Sequence, residues 1–267
     1  MTARFRDLIA AEWIKLWSLR SSAVAFAAGA LIILGITVNG AITDYRNYPT
    51  YSAGIHAIFV PIWAIRDAFN PGAGMVLMLV SSSLGAIAIL SEYSTGQIRT
   101  TFAAVPARHA VMAAKTIVVA VVMSAYGAVL AGTSFAVTQA ILAQRGAGLT
   151  LDYPGAFRAI VASALLAPVC ALVGLGLATV VRHTAPTLVT LTFVLLLLPF
   201  MISDRHRWSA TLLHLLPRTA WERLTELGDP FQTSPFPASV GGSWLTYAVW
   251  TAFPALAAVL VVGRRDV

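Results

Sequence analysis

Apolar and polar positions alternate along this chain in long blocks. Six stretches, 21–43, 73–91, 116–143, 159–181, 187–203 and 243–263, contain no Asp, Glu, Lys, Arg or His. A hydrocarbon core of ~30 Å needs about 20 apolar residues per helix. Inside lipid, every backbone N–H and C=O has to find its partner within the segment, so such runs fold as helices. The pattern predicts an all-α, polytopic membrane protein with six transmembrane helices, over about 21–43, 73–91, 116–143, 159–181, 183–203 and 243–263. The fifth reaches that length by extending back to His183.

The polar blocks between them are not uniform. Residues 2–20 read as an amphipathic interfacial helix. Phe5, Leu8, Ile9, Trp13, Leu16 and Trp17 fall on one side at helical spacing, and Glu12 and Arg6 intrude on it. The block 44–72 carries Tyr45, Tyr48, Tyr51 and Trp63, residues that favour the headgroup level, and is expected on the outer surface. Pro199 is expected to kink the fifth span. Residues 204–242 read as an outer helical hairpin, with helices over 208–216 and 217–227. In the second, Ala220, Trp221, Leu224 and Leu227 share one face, and Gly228 is the stop signal. Such a hairpin would dip into the leaflet edge or cap the protein.

Composition narrows the class. The chain has 267 residues, 58% hydrophobic and 11% charged. That leaves no room for a soluble domain of roughly 100–150 residues beside the spans, so 1–267 is read as a single transmembrane domain. The apolar part of the first span exceeds a signal-peptide core, and this span is expected to stay in the mature protein. The single cysteine, Cys170, lies in the fourth apolar run and reads as a packing residue.

The net charge of +7 does not point to nucleic acid, because the charge is sorted by side. With the N-terminus inside, the inner segments hold ten basic residues, Arg4, Arg6, Lys15, Arg20, Arg99, Arg108, Lys115, Arg182, Arg264 and Arg265. They face four acids, Asp7, Glu12, Glu92 and Asp266. The outer segments hold eight basic residues against seven acids. This bias places both termini in the cytoplasm and the chain in the inner membrane.

Missing motifs bear on the energy source. The six charge-free runs offer no ionisable group at membrane depth, where ion- and proton-coupled carriers keep one. A phosphate-binding loop needs Gly-Lys-Ser/Thr, but Lys15 follows Ile14 and Lys115 follows Ala114. Neither the His-Glu-x-x-His nor the Gly-x-Ser-x-Gly string occurs. His206, His214 and Glu222 recur at eight-residue intervals, which fits helix-face neighbours only loosely. Any work the protein does is expected to draw on a partner.

The block 92–115 is the candidate docking element. Gly96 permits a reversal, 98–105 forms two helical turns, and Pro106 ends them. Arg99, Arg108 and Lys115 flank the element. A solvated connector with positive-inside residues has the same local features. The pattern Glu92…Gly96…Ile98-Arg99…Pro106…Arg108…Lys115 resembles the permease subunits of the type-2 ABC exporter family. Glu12-Trp13-Ile14-Lys15-Leu16 is similar to that family's Glu-x-x-Lys-Leu interfacial helix. Gln97 departs from the family's usual Thr, and Pro106-Ala107-Arg108 is one residue tighter than Pro-x-x-Arg.

The resemblance implies a half-transporter. Two permease domains, identical or sister subunits, would sit on two separate cassette ATPase chains that bind ATP and Mg. This chain itself would hold no cofactor and be no enzyme. Residues 98–105, including Phe102, would be the coupling helix, and the helix carrying Glu12 and Lys15 would touch the ATPase as well. Glu92 and Arg99 would provide polar anchoring, and Gly96 and Pro106 would shape the element. The second and fifth spans would line the pathway, which nominates Met78, Ser82, Phe193 and Phe200. With few polar handles in the spans, the expected cargo is amphipathic or lipophilic and taken from the bilayer. The competing reading is a membrane scaffold or resistance protein that sequesters a compound without pumping it.

Overall fold

The computed structural model describes residues 4–18, 20–228 and 234–264, and among them there are helices and no strands. The chain runs α1 (Phe5–Ser18), α2 (Arg20–Asn47), α3 (Ala53–Ile58), α4 (Ala64–Ala68), α5 (Pro71–Ser94), α6 (Gln97–Ala104) and α7 (Arg108–Ala143). It continues with α8 (Ala156–Val181), α9 (Thr184–Thr192), α10 (Leu198–Met201), α11 (Arg207–His214), α12 (Pro217–Thr225) and α13 (Val240–Arg264). Six helical stretches are long and apolar enough to cross a bilayer: α2, the run from α3 to α5, α7, α8, the run from α9 to α10, and α13. The protein is an all-α, multi-pass membrane protein.

The core is built on α8, which packs against α5, α7 and α13. Lipid tails are as apolar as leucine, so helices in a membrane gain by close contact between small residues rather than by hiding apolar surface from water. The sequence supplies those residues at the crossings. A β-carbon at Gly85 of α5 would collide with the Ala171 carbonyl of α8, and one at Gly174 with the Ser82 carbonyl. Gly127 of α7 meets Ala164 of α8 in the same way.

The helix termini overrun the charge-free blocks. Where charges begin, the backbone is still helical, because Arg, Lys and Ala are good helix formers once water is available. The third span starts at Arg108 rather than near 116, and the first continues through Asp44 to Asn47. Lys115 and Glu92 are buried inside α7 and α5, and Asp44 inside α2.

The block 44–72 also differs from a surface loop. It folds into a 3-10 turn (Tyr48–Thr50), α3, a wide turn (Phe59–Trp63) and α4. Phe59, Ala64, Ile65 and Ala68 are buried, and α4 packs on α7. The Gln139 amide of α7 donates to the Ala64 carbonyl at 2.8 Å, and its oxygen accepts from Leu149 N–H at 2.7 Å. Among its aromatic residues, the Tyr48 and Phe59 ring centres lie 5.0 Å apart and those of Tyr48 and Tyr51 6.5 Å apart.

In the fifth span the backbone widens into a π-turn over Phe193–Leu197, just before Pro199. Pro199 has no N–H to give the carbonyl one turn back, and the wider turn accommodates the loss. In the 204–242 block, α12 turns Ala220, Trp221, Leu224 and Leu227 inward as its sequence predicts. It packs on α8 and α13, and Trp221 Nε1 donates to Ser163 Oγ at 3.0 Å. Arg158 of α8 closes the far end of α12 by donating to the carbonyls of Leu224 and Glu226 at 3.0 and 2.7 Å.

Candidate functional site

One end of the bundle gathers the end of α5, all of α6, the start of α7 and helix α1. Alpha-5 ends at Ser94, and Thr95 donates its hydroxyl to the Ser91 carbonyl at 2.8 Å. Gly96 follows with φ of 71°, the left-handed region that a side chain would strain, and α6 starts at once. Val105 is extended, which suits a residue preceding proline, and Pro106 then leads into α7.

On α6, Ile98 and Phe102 lie one turn apart and both are buried against this chain. The Arg108 guanidinium lies 5.5 Å from the centre of the Phe102 ring. The opposite face, with Arg99, Thr100, Ala103 and Ala104, is exposed, as is Pro106. Apolar residues therefore root the helix, and small residues plus one cation form its free surface.

Beneath α6 lies a closed ring of alternating charge. Lys15 Nζ donates to Glu12 Oε1 at 2.8 Å and to Glu92 Oε1 at 3.0 Å. Lys115 Nζ donates to the same Glu92 oxygen at 2.9 Å, to the Ala88 carbonyl at 3.1 Å, and to Glu12 Oε2. Glu12, Glu92 and Lys115 are each at most 4% exposed, and the Lys15 side chain is 27% exposed. Two positive and two negative charges thus cancel out of water, with α1, α5 and α7 each contributing at least one. A cavity of about 120 Å³ adjoins the ring, lined also by Ser18, Ser22, Ser91, Thr95 and Gln97.

Burial alone would lower the affinity of the Lys15 ammonium for its proton. The Glu12 and Glu92 carboxylates outweigh that, and its pKa is raised above the ordinary 10.5. Further contacts complete this rim. The Arg182 guanidinium, at the end of α8, lies 5.3 Å from the Tyr93 ring centre, and the His109 ring shares a 2.9 Å hydrogen bond with the Val259 carbonyl of α13.

The structure sorts the sequence-predicted residues. Glu12, Lys15 and Glu92 come together, but they face one another inside the chain rather than outward. Gly96, Ile98, Arg99, Phe102, Pro106 and Arg108 build the projecting element. Within that group only Arg99 and Pro106 are fully on the surface, and Phe102 is part of the root. Lys115, the fourth member of the ring, was visible in sequence only as a flanking cation. The signal for its role was Glu12, a charge on an otherwise apolar helix face.

The four pathway candidates divide. Met78 and Ser82 are 0% and 1% exposed in the α5–α8 interface, where the close approach at Gly174 leaves no opening. Phe193 and Phe200, on the sparsely covered fifth span, are exposed, and Phe200 carries the Arg218 guanidinium 3.9 Å from its ring centre.

Helix α1 also divides its apolar residues between two surfaces. Leu8, Ile9 and Leu16 turn to the bundle together with Glu12, whereas Trp13, Ile14 and Trp17 are exposed on an adjoining arc. Trp17 stacks on Phe26 of α2 at 5.6 Å. Residues 2, 3 and 19 of the expected 2–20 helix lie outside the described residues. Comparison with protein-family models and with curated proteins found no match. Fold and site together define a six-span membrane protein with a braced helical projection at one end.

Proposed function

We propose that this chain is the permease subunit of an ATP-driven exporter of the type-2 ABC kind. In this reading the α6 end lies in the cytoplasm and the spans cross the inner membrane. Two cassette ATPase subunits, holding ATP and Mg, grip α6, and a second permease copy or a sister subunit completes the pathway. The cargo is an amphipathic or hydrophobic compound that enters from the bilayer.

The observation that carries the reading is the construction of α6. Ile98 and Phe102 fix it to the bundle, and the exposed Arg99, Thr100, Ala103 and Ala104 leave a free face. Directly beneath, the Glu12–Lys15–Glu92–Lys115 ring ties α1, α5 and α7 together. A displacement of α6 therefore acts on two spans and on the interfacial helix as one piece. A solvated connector needs neither the root nor the brace.

The test is co-purification with a cassette ATPase co-expressed with this chain. Arg99→Glu combined with Ala103→Trp alters only exposed positions, and is expected to abolish co-purification while leaving the thermal midpoint unchanged. Retained co-purification would remove α6 as the docking element. ATP-independent retention of compound by vesicles holding this chain alone would favour the sequestering scaffold.

A further inference from the structure

At the opposite end of α2 lies a second buried cluster, built in the contrary way. Asp44, near the end of α2, and Asp67, on α4, are each only 8% exposed. The Asp67 carboxylate lies against α2 at Gly40, where a β-carbon would stand 3.3 Å from its Oδ1, and within interaction distance of Asp44 one turn further on. Tyr51 donates its hydroxyl to Asp44 Oδ1 at 2.7 Å. Asp67 Oδ2 is buried and has no hydrogen-bond partner among the described residues.

Among the described residues no cation balances the pair. Among the described residues neither aspartate joins an ion pair. The charged and titratable groups around it are otherwise engaged or turned away. On α2, Tyr45 carries the Arg145 guanidinium 4.5 Å from its ring centre, and Arg46 is exposed. On the 3-10 turn and α3, Tyr48 packs on His56, whose Nε2 shares a 2.7 Å hydrogen bond with the Tyr48 carbonyl. On α4, Arg66 is exposed. Packed against α4 from α7 is the neutral Gln139, both ends of whose amide are used. Tyr51 itself stays a neutral donor, since burial and the Asp44 carboxylate push its phenol up to about 12.

Two adjacent carboxylates sealed from water repel each other, and an orphaned buried oxygen costs the full desolvation of that atom. A single proton removes both penalties, because a protonated carboxyl is a donor as well as an acceptor. We propose that Asp44 and Asp67 form a proton-binding site, in which one shared proton clasps α4 onto the end of α2. Loss of that proton at alkaline pH releases the helices from 53 to 68. The inference is independent of the export reading, because it concerns the opposite end of the molecule and needs no partner.

The test uses the full chain in lipid nanodiscs. Infrared difference spectra report protonated carboxyls, and hydrogen exchange reports protection of residues 53–68. The wild type is expected to show a protonated-carboxyl band at neutral pH that disappears on alkaline titration, with loss of protection over the same range. Asp67→Asn is expected to lose the band and keep its protection across that range, because the amide donates to Asp44 permanently. Should that variant fail to fold, Asp44→Asn gives the same loss of the band. A wild type without the band at neutral pH, or a band that persists in both variants, would overturn the site. So would removal of the band by sodium at constant pH, which would assign the pair to a metal cation.

Discussion

The two ends of this molecule bury acidic side chains by opposite means. At the α6 end, Glu12 and Glu92 are each held by two lysines, and the ring closes with no net charge. At the far end, Asp44 and Asp67 lie together with a phenol and no cation. The first arrangement joins three helices through charges that each need the others. The second joins two helices through groups that tolerate each other only in one protonation state. A brace that transmits force is served by the first, and a clasp that responds to proton supply by the second.

The contrast is broken most severely at Lys115. Lys115→Met removes the ammonium that touches both glutamates and leaves two buried carboxylates with only the half-exposed Lys15. Breaking a buried pair in this way costs about 3–5 kcal/mol. We expect loss of a folded, monodisperse protein in fluorescence-detected size exclusion. Exchanging the charges, with Glu12→Lys in the same chain as Lys115→Glu, is expected to recover part of it.

A smaller effect of opposite sign is expected at the other end. Asp67→Asn puts a permanent amide donor where the shared proton sits, so thermal unfolding should match the wild type at neutral pH and be raised at alkaline pH, by about 1 kcal/mol. Asp67→Leu sharpens the point. It removes the clasping hydrogen bond and supplies no donor, and is expected to fall below both the wild type and Asp67→Asn at neutral pH.

The smallest effect concerns Lys15. Its pKa is raised in the folded protein, so the stability it contributes is complete below the unfolded value near 10.4 and is lost as pH rises through the folded one. Hydrogen exchange of α1 should therefore be flat through neutral pH and rise only under strongly alkaline conditions. Lys15→Met should cost less than about 1 kcal/mol, since a part-exposed pair is screened by solvent.

How much of this was legible in the sequence differs from element to element. The charge-free blocks located all six spans, because lipid leaves the backbone no alternative. Their ends were not legible, since helices such as Arg108–Ala143 continue past the charge-free run through contacts with residues distant in sequence. The inward face of α12 could be read from Ala220, Trp221, Leu224 and Leu227. The face of α1 could not be read in the same way, because its apolar arc is wide enough for two surfaces and no local pattern separates them. Glu12 looked like a flaw in that arc. Its partner Lys115 is 103 residues away, a distance over which periodicity carries no information. The packing of the block 44–72 was not legible either, as tyrosines suited to headgroups also suit packing on a buried ring such as Phe59.

The proposal that a separate ATPase drives this chain through α6 is tested most directly by ATP turnover in a reconstituted complex. This chain and a co-expressed cassette ATPase would be assayed in nanodiscs with and without Arg99→Glu plus Ala103→Trp, and with Leu212→Glu at the far end as a control. The wild-type chain is expected to stimulate turnover, the α6 variant not to, and the control to behave as wild type. Stimulation that survives in the α6 variant would contradict it.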